Sequence, residues 1–191
     1  MDRVNIKQLR KEVSMVLSKT YSLVDLSPIA NPKLKKRVAA RAIVLHGDEI
    51  LLIYTKRYND YTIPGGGVDD EEHIEEGLVR ELKEETGAQH IVILKHFGAI
   101  HELRPSYRSD YDAVDMISYF FVCAADRELG VARPESYELD NGSEPVWINI
   151  YKAIAHNKAV MAKSDSSMGL SIHRETYALE VIAKELVEKE V

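Results

Sequence analysis

Two apolar, β-branched runs, Val38–Leu45 and Ile50–Lys56, flank His46-Gly47-Asp48 and predict a β-hairpin. Tyr61-Thr-Ile-Pro64 reads as a short extended segment, which Pro64 permits only at a strand edge or end. Gly65-Gly66-Gly67 then allows tight turns and close backbone approach. A polar loop leads into a helix over His73–Thr86, with Gly87 as its stop. Strands are predicted near Ile91–Leu103, Met116–Ala125 and Pro145–Ile148, and a short helix over Tyr151–His156. A last helix runs from about His173 to Lys189, with Tyr177, Val181, Ile182 and Leu186 as its buried stripe. Ahead of the hairpin, Ile6, Leu9, Val13, Val16 and Leu17 recur at helical spacing before Pro28 and Pro32 interrupt the chain. The pattern divides the chain into an N-terminal helical extension, residues 1–37, and a main α+β domain, residues 38–191, in which antiparallel hairpins carry a helix against their sheet.

Charge is distributed unevenly between these parts. Asp69 to Glu85 holds nine acids against Arg80 and Lys83, a net of −7, whereas the whole chain of 191 residues is −6. The acidity is thus one local field, which gathers counter-ions. Residues 1–37 carry nine bases and three acids. That basic extension is a candidate dimer arm or electrostatic guide for an anionic substrate; the plainer reading is a packed helix with a solvated face. Its base cluster, Lys33-Leu-Lys-Lys-Arg37, has no interleaved aromatics, which argues against a nucleic-acid partner. No stretch approaches the roughly 20 apolar residues of a membrane span. The charged start MDRVNIKQLRKEV lacks an apolar signal core. The lone Cys123 lies in the apolar run ISYFFVCAA and fits a small buried hydrophobe in a reducing compartment. A cytoplasmic protein is expected. The seven histidines show no paired metal spacing, and no dinucleotide or Walker loop is present.

The acidic helix holds the candidate chemistry. Residues three and four apart share a helix face, so Glu81, Glu84 and Glu85 project together and repel one another by roughly 0.2–0.5 kcal/mol per pair. A divalent cation between them would reverse that sign. Hard oxygen ligands select magnesium, manganese or calcium over zinc.

Gly66, Glu72, Arg80, Glu81, Leu82, Glu84, Glu85 and Gly87 reproduce the spacing of the Nudix box, with Ala88 in place of the final aliphatic residue. The chain resembles the Nudix hydrolase family over roughly residues 38 to 160. The resemblance implies an α/β/α sandwich around a mixed, largely antiparallel sheet. It also implies Mg2+-dependent hydrolysis, with Mn2+ as substitute, of a phosphoanhydride bond. The substrate would be a nucleoside diphosphate linked to another moiety, or a nucleoside triphosphate. By the same resemblance Glu81, Glu84 and Glu85 ligate the metal with the Gly65 carbonyl, Arg80 orients the carboxylates, and Glu72 supports the site. Glu84 could serve as general base, as could an acid outside the box such as Glu102, Asp115 or Glu144. Arg41, Lys56 and Arg57 are positioned to bind phosphate, and Tyr61, like Tyr58, to stack on a base. The polar stretch Arg104–Tyr111 is a candidate lid or partner surface. Pro105 and Tyr107, 17 and 19 residues beyond Ala88, match no subfamily spacing, so the resemblance leaves the substrate open. The alternative is a Nudix-fold sensor that binds a nucleotide without turnover; such modules usually lose box carboxylates, and this chain keeps them all.

Overall fold

Ala39, Ala40, Ala42, Ile43 and Val44 are all 1% exposed or less, so the strand they form needs cover on both faces. The computed structural model describes residues 16–163 and 167–188. In chain order its elements are β1 (Leu17–Ser22), β2 (Leu34–His46), β3 (Glu49–Thr55), β4 (Asp60–Thr62), α1 (Ile74–Thr86), β5 (Val92–Pro105), β6 (Ala113–Ala124), α2 (Ser136–Asn141), β7 (Ser143–Asn149), α3 (Ile150–Lys163) and α4 (Ile172–Ile182). The last continues into a π-helical turn, Ala183–Val187.

The strand order is β1-β5-β6-β2-β3-β4, with β7 on the other side of β3. β1 runs parallel to β5 and β2 parallel to β6; the remaining pairs are antiparallel. The predicted hairpin forms, but β2 and β3 pair only at Leu45↔Ile50 and His46↔Glu49 before they part. Period-two alternation then separates two cores. Ala40, Ala42, Val44, Tyr119 and Phe121 face Leu78 and Leu82 of α1. Ile43, Ile50, Leu52, Ile100 and Phe120 face Ile154 of α3 and Ala178, Leu179 and Ile182 of α4. The result is the expected α/β/α sandwich with a mixed sheet. Cys123 is buried in the first of these cores, and desolvation pushes its thiol up to about 12. Among the described residues no helix is long and apolar enough to cross a membrane.

The predicted extension needs correction. Residues 17–22 are a strand, not the continuation of a helix, and pair in register from Leu17↔Gly98 to Ser22↔Leu103. Gly98, at φ 153, permits this: a Cβ there would overlap the Leu17 carbonyl. The free edge of β5 therefore overrides local helical spacing. The basic run from Leu34 to Arg37 opens β2, so the division at 37/38 falls inside a strand. The predicted helix over residues 1–15 lies outside the described residues. Of the stretch from Arg104, Arg104 and Pro105 belong to β5, and a turn follows in which Arg108 pairs with Asp110 at 3.0 Å.

Asp60 opens β4 at 2% exposure, with Oδ1 buried and without a hydrogen-bond partner. Burial first, and the Glu175 carboxylate second, raise its carboxyl to about 7. The folded chain thus binds this proton more tightly than the unfolded chain. The stabilisation is complete below about pH 3.8 and lost as pH rises through about 7. Asp60→Asn should therefore be more stable than the parent at pH 8, its advantage widening by on the order of 2 kcal/mol between pH 5 and pH 8. Denaturant melts at the two pH values check this; an equal gap at both would contradict it.

Candidate active site

α1 is positioned from inside and from both ends. Leu78 and Leu82, one turn apart, are fully buried under β2. Glu75 and Glu76 in the first turn suit the positive end of the helix dipole. Gly87, at φ 71, ends the helix as predicted, its N–H donating to the Lys83 carbonyl at 2.9 Å. Burying the leucines leaves Arg80, Glu81, Glu84 and Glu85 on the flank that faces the glycine loop.

That loop lies along β2. The N–H groups of Ala42 and Ala40 donate to the Pro64 and Gly66 carbonyls at 2.9 and 3.0 Å, and Val68 N–H donates to the Val38 carbonyl at 3.0 Å. The approach leaves no space for side chains. A Cβ on Gly65, which has φ 128, would overlap the Ala40 carbonyl, and one on Gly66 would run into the Glu81 carboxylate. Gly65 N–H donates to Glu85 Oε2 at 2.7 Å, while its carbonyl accepts from Arg41 Nη1, which also reaches the Ile63 carbonyl at 3.2 Å.

Arg80 binds the box together. Its Nε and Nη2 grip the two oxygens of Glu72 at 2.8 and 2.9 Å. Nη1 donates to Glu81 at 2.8 Å and Glu84 at 3.3 Å, and Nη2 to the Gly67 carbonyl at 3.2 Å. The Arg80 hydrogen bonds hold the Glu72 carboxyl below its usual range. Glu81 moves the other way: burial raises it, and Arg80 opposes the shift. Burial also raises Glu85, against the pull of the Arg41 charge and the Gly65 N–H.

Glu138 on α2 adds to the repulsion at both Glu81 and Glu85 and comes within hydrogen-bonding reach of the Glu85 carboxyl. The segment before α2 is tied to the end of α1, with Gly130 N–H donating to the Gly87 carbonyl and Arg133 N–H to the Glu84 carbonyl. Reciprocal bonds between Glu135 and Glu138 cap α2. The sequence reading missed both this helix and its glutamate. Six residues show no helical period, and only the Glu135-x-x-Glu138 spacing hinted at a cap.

The box residues and Arg41 thus come together, but the other predicted contacts do not join them. Lys56 and Arg57 secure the end of α2. Their N–H groups donate to the carbonyls of Gly142 and Asn141 at 3.2 and 3.1 Å, and Arg57 Nη1 reaches Asn141 Oδ1 at 3.1 Å. The Tyr61 ring packs on Tyr54 and His156, while Asn157 clamps its backbone N–H and carbonyl, both at 2.9 Å. Of the outside acids, Glu102 is buried in an ion pair with Arg174, Asp115 is bonded to His101, and Glu144 is exposed on β7 opposite Tyr54. None of the three stands at the box.

Among the described residues no three acid, histidine or cysteine side chains are arranged as a metal cage. Arg80 draws Glu81 and Glu84 to itself, and Glu85 turns to Gly65, so the predicted three-carboxylate convergence is not preformed. The donor chemistry nevertheless suits a hard divalent cation: Glu81, Glu85 and Glu138 crowd negative charge into a desolvated space that such an ion would relieve.

Residues 35–166 match the family model described as NUDIX domain. The chain belongs to the Nudix family and is a Nudix-type pyrophosphohydrolase. Among solved structures it is similar to the crystal structure of a MutT NUDIX hydrolase from Burkholderia pseudomallei. The identity is 21%, the alignment covers 78% of this chain and 98% of that one, and the TM-score is 0.49. Comparison with curated proteins returns no match.

A lysine at position 80 would keep the charge but lose the fork that spans Glu72, Glu81 and Gly67. Arg80→Lys should lower turnover roughly 10- to 100-fold, as loss of a group that orients ligands does, with only a small change in melting temperature. Kinetics and thermal melts on the same preparation test this; turnover equal to the parent's would refute the positioning role.

Proposed function

We propose that this chain hydrolyses, with Mg2+ or in its place Mn2+, a phosphoanhydride bond in a nucleoside diphosphate linked to another moiety or in a nucleoside triphosphate. The observation that supports this best is the set of box carboxylates held by one guanidinium beside a glycine loop with no room for side chains. Glu81, Glu84 and Glu85 are the side chains that would hold the ion. The Gly65 carbonyl, which accepts from Arg41, keeps a second lone pair for it. When bound, such an ion neutralises phosphate oxygens and acidifies a water.

The remaining work falls to the chain. Arg80 and Glu72 keep the carboxylates aimed, at a spacing fixed by the loop. Arg41 presents Nε, buried and without an acceptor, as a donor for a substrate phosphate oxygen. Glu84, whose side chain is 47% exposed, is the box carboxylate most open to a substrate water and takes its proton. Glu138 adds a further acid beside Glu81 and Glu85.

The test is a panel of nucleoside diphosphate derivatives and triphosphates incubated with Mg2+, with released phosphate read after phosphatase coupling. Turnover of at least one member is expected, and binding without turnover would favour the sensor. Glu84→Gln should cut kcat by about 10²-fold or more while the chain stays folded. Millimolar Mg2+ should raise the melting temperature of the parent, by about 2.7 kcal/mol of linkage at 100 times its Kd. An unchanged melting curve counts against the ion site.

A further inference from the structure

Four arginines share the sheet face that carries α4: Arg37 and Arg41 on β2, Arg104 on β5, and Arg174 entering from α4. Register sets Arg37 beside Met116, and Met116 opposite Glu102, two residues from Arg104. Arg104 Nη1 lies 4.0 Å from Met116 Sδ, so Arg37 and Arg104 flank one methionine. Their charges reach one another, and both Arg104 and Arg41 also feel Arg174.

The carboxylates on this face do not balance that charge. Glu102 and Glu175 both pair with Arg174. The acids that act on Arg41 are Glu175, already paired with Arg174, and after it Glu85, which belongs to the box. Arg104 donates to neutral groups, the Met116 sulfur and the Ser171 hydroxyl at 3.4 Å. Arg37 lies along Gly67, its Nη2 3.3 Å from where a Cβ would stand. Among the described residues neither Arg37 nor Arg104 forms an ion pair. Burial depresses the Arg104 guanidinium; the Glu102 charge opposes this from its ion pair with Arg174, and the charges of Arg174 and Arg37 add to it. Arg104, half-buried with only neutral hydrogen-bond acceptors, is costly to retain for the fold alone, and the exposed Arg37 beside it adds a second free fork. Their planar forks suit phosphoryl oxygens.

We propose that Arg37 and Arg104 bind a second phosphoryl group of the substrate, beyond the pyrophosphate held at the box. Four residues of strand separate Arg37 from Arg41, roughly 13 Å between Cα atoms, which places this group away from the bond that is cut. The preferred substrates are then nucleotides with an additional phosphoryl group, as the end of a longer phosphate chain or as a monoester on the remote moiety. Diphosphates ending in a neutral sugar are poorer. This rests on the reading of the box as a pyrophosphohydrolase site.

Inorganic phosphate, titrated calorimetrically into the full chain without metal, probes the pair independently of turnover. Arg37→Gln/Arg104→Gln should weaken binding roughly 10-fold or more, as loss of charge-assisted bonds does. Arg108→Gln, on the exposed turn, should match the parent. Arg37→Gln alone, at an exposed position, serves if the double variant fails to fold. In the presence of Mg2+, the double variant should lose at least roughly 10-fold more kcat/KM on substrates with the additional phosphoryl than on neutral-ended ones, chiefly through KM. Chain-end and monoester substrates, run separately, identify which source the pair reads. Unchanged phosphate affinity in the variants, with an unchanged ratio of kcat/KM values, would overturn the proposal. If phosphate binding depends on the pair but nothing in the panel is hydrolysed, the anion site stands and the hydrolytic reading falls.

Discussion

The site depends on one close approach, the glycine loop lying against the backbone of β2. Three hydrogen bonds, donated by Ala40 and Ala42 and accepted by the Val38 carbonyl, hold Pro64 to Val68 in place of a neighbouring strand. A strand edge leaves N–H and carbonyl groups that need partners, and the loop supplies them only because residues 65 and 66 have no side chains to insert. Once the loop is fixed, so is the rest. Gly65 N–H sets Glu85, the Gly67 carbonyl sets Arg80, and Arg80 sets Glu72, Glu81 and Glu84. Packing of Leu78 and Leu82 places α1 within reach, but the backbone contact decides which carboxylate meets which donor.

A second constraint comes from the opposite face. Arg174 and Glu175 of α4, each 1% exposed or less, enter the sheet, where Arg174 pairs with both Glu175 and Glu102. Glu175 also accepts from Ile63 N–H at 2.9 Å, two residues before Gly65. Replacing such buried charges with apolar groups often leaves a protein as stable or more so, so their presence says little about stability. What they add is position. The Ile63 N–H is tied to α4 and its carbonyl to Arg41, so the strand entering the loop is held through both backbone groups of one residue from the face that carries α4.

Where local signals decided structure, the sequence was legible. The hairpin, α1 and its end at Gly87 follow from β-branched runs, turn residues and a glycine at a left-handed position, and the fixed spacing of the box identified its carboxylates and Arg80. What stayed hidden depends on pairing between distant segments. Leu17 closes a run at helical spacing, but the exposed edge of β5 and the bare Gly98 recruit it and the residues up to Ser22 as a strand. Tyr61, Lys56 and Arg57 are close to the loop in sequence, yet β4 and α2 take them elsewhere. Glu102 and Glu138 exchange the parts that sequence alone assigned: the apparently free acid is buried on Arg174, and the unremarked one faces Glu85.

Charge patterning is the feature that sequence order disguised most. Arg37 closes a basic run that reads as part of an extension, but in β2 it alternates onto the same face as Arg41. The chain thus sets a row of guanidiniums beside the −7 segment from Asp69 to Glu85, separated by the loop itself. Opposite fields this close would neutralise one another if the side chains could pair freely. The loop prevents that by giving the acids their own arginine, Arg80, and by leaving Arg37 along Gly67 without an acid among the described residues. A molecule bridging the two fields would need an anionic group for the arginines and, through a cation, another for the carboxylates. That pairing of demands describes a polyphosphate ester more closely than any ligand of single charge.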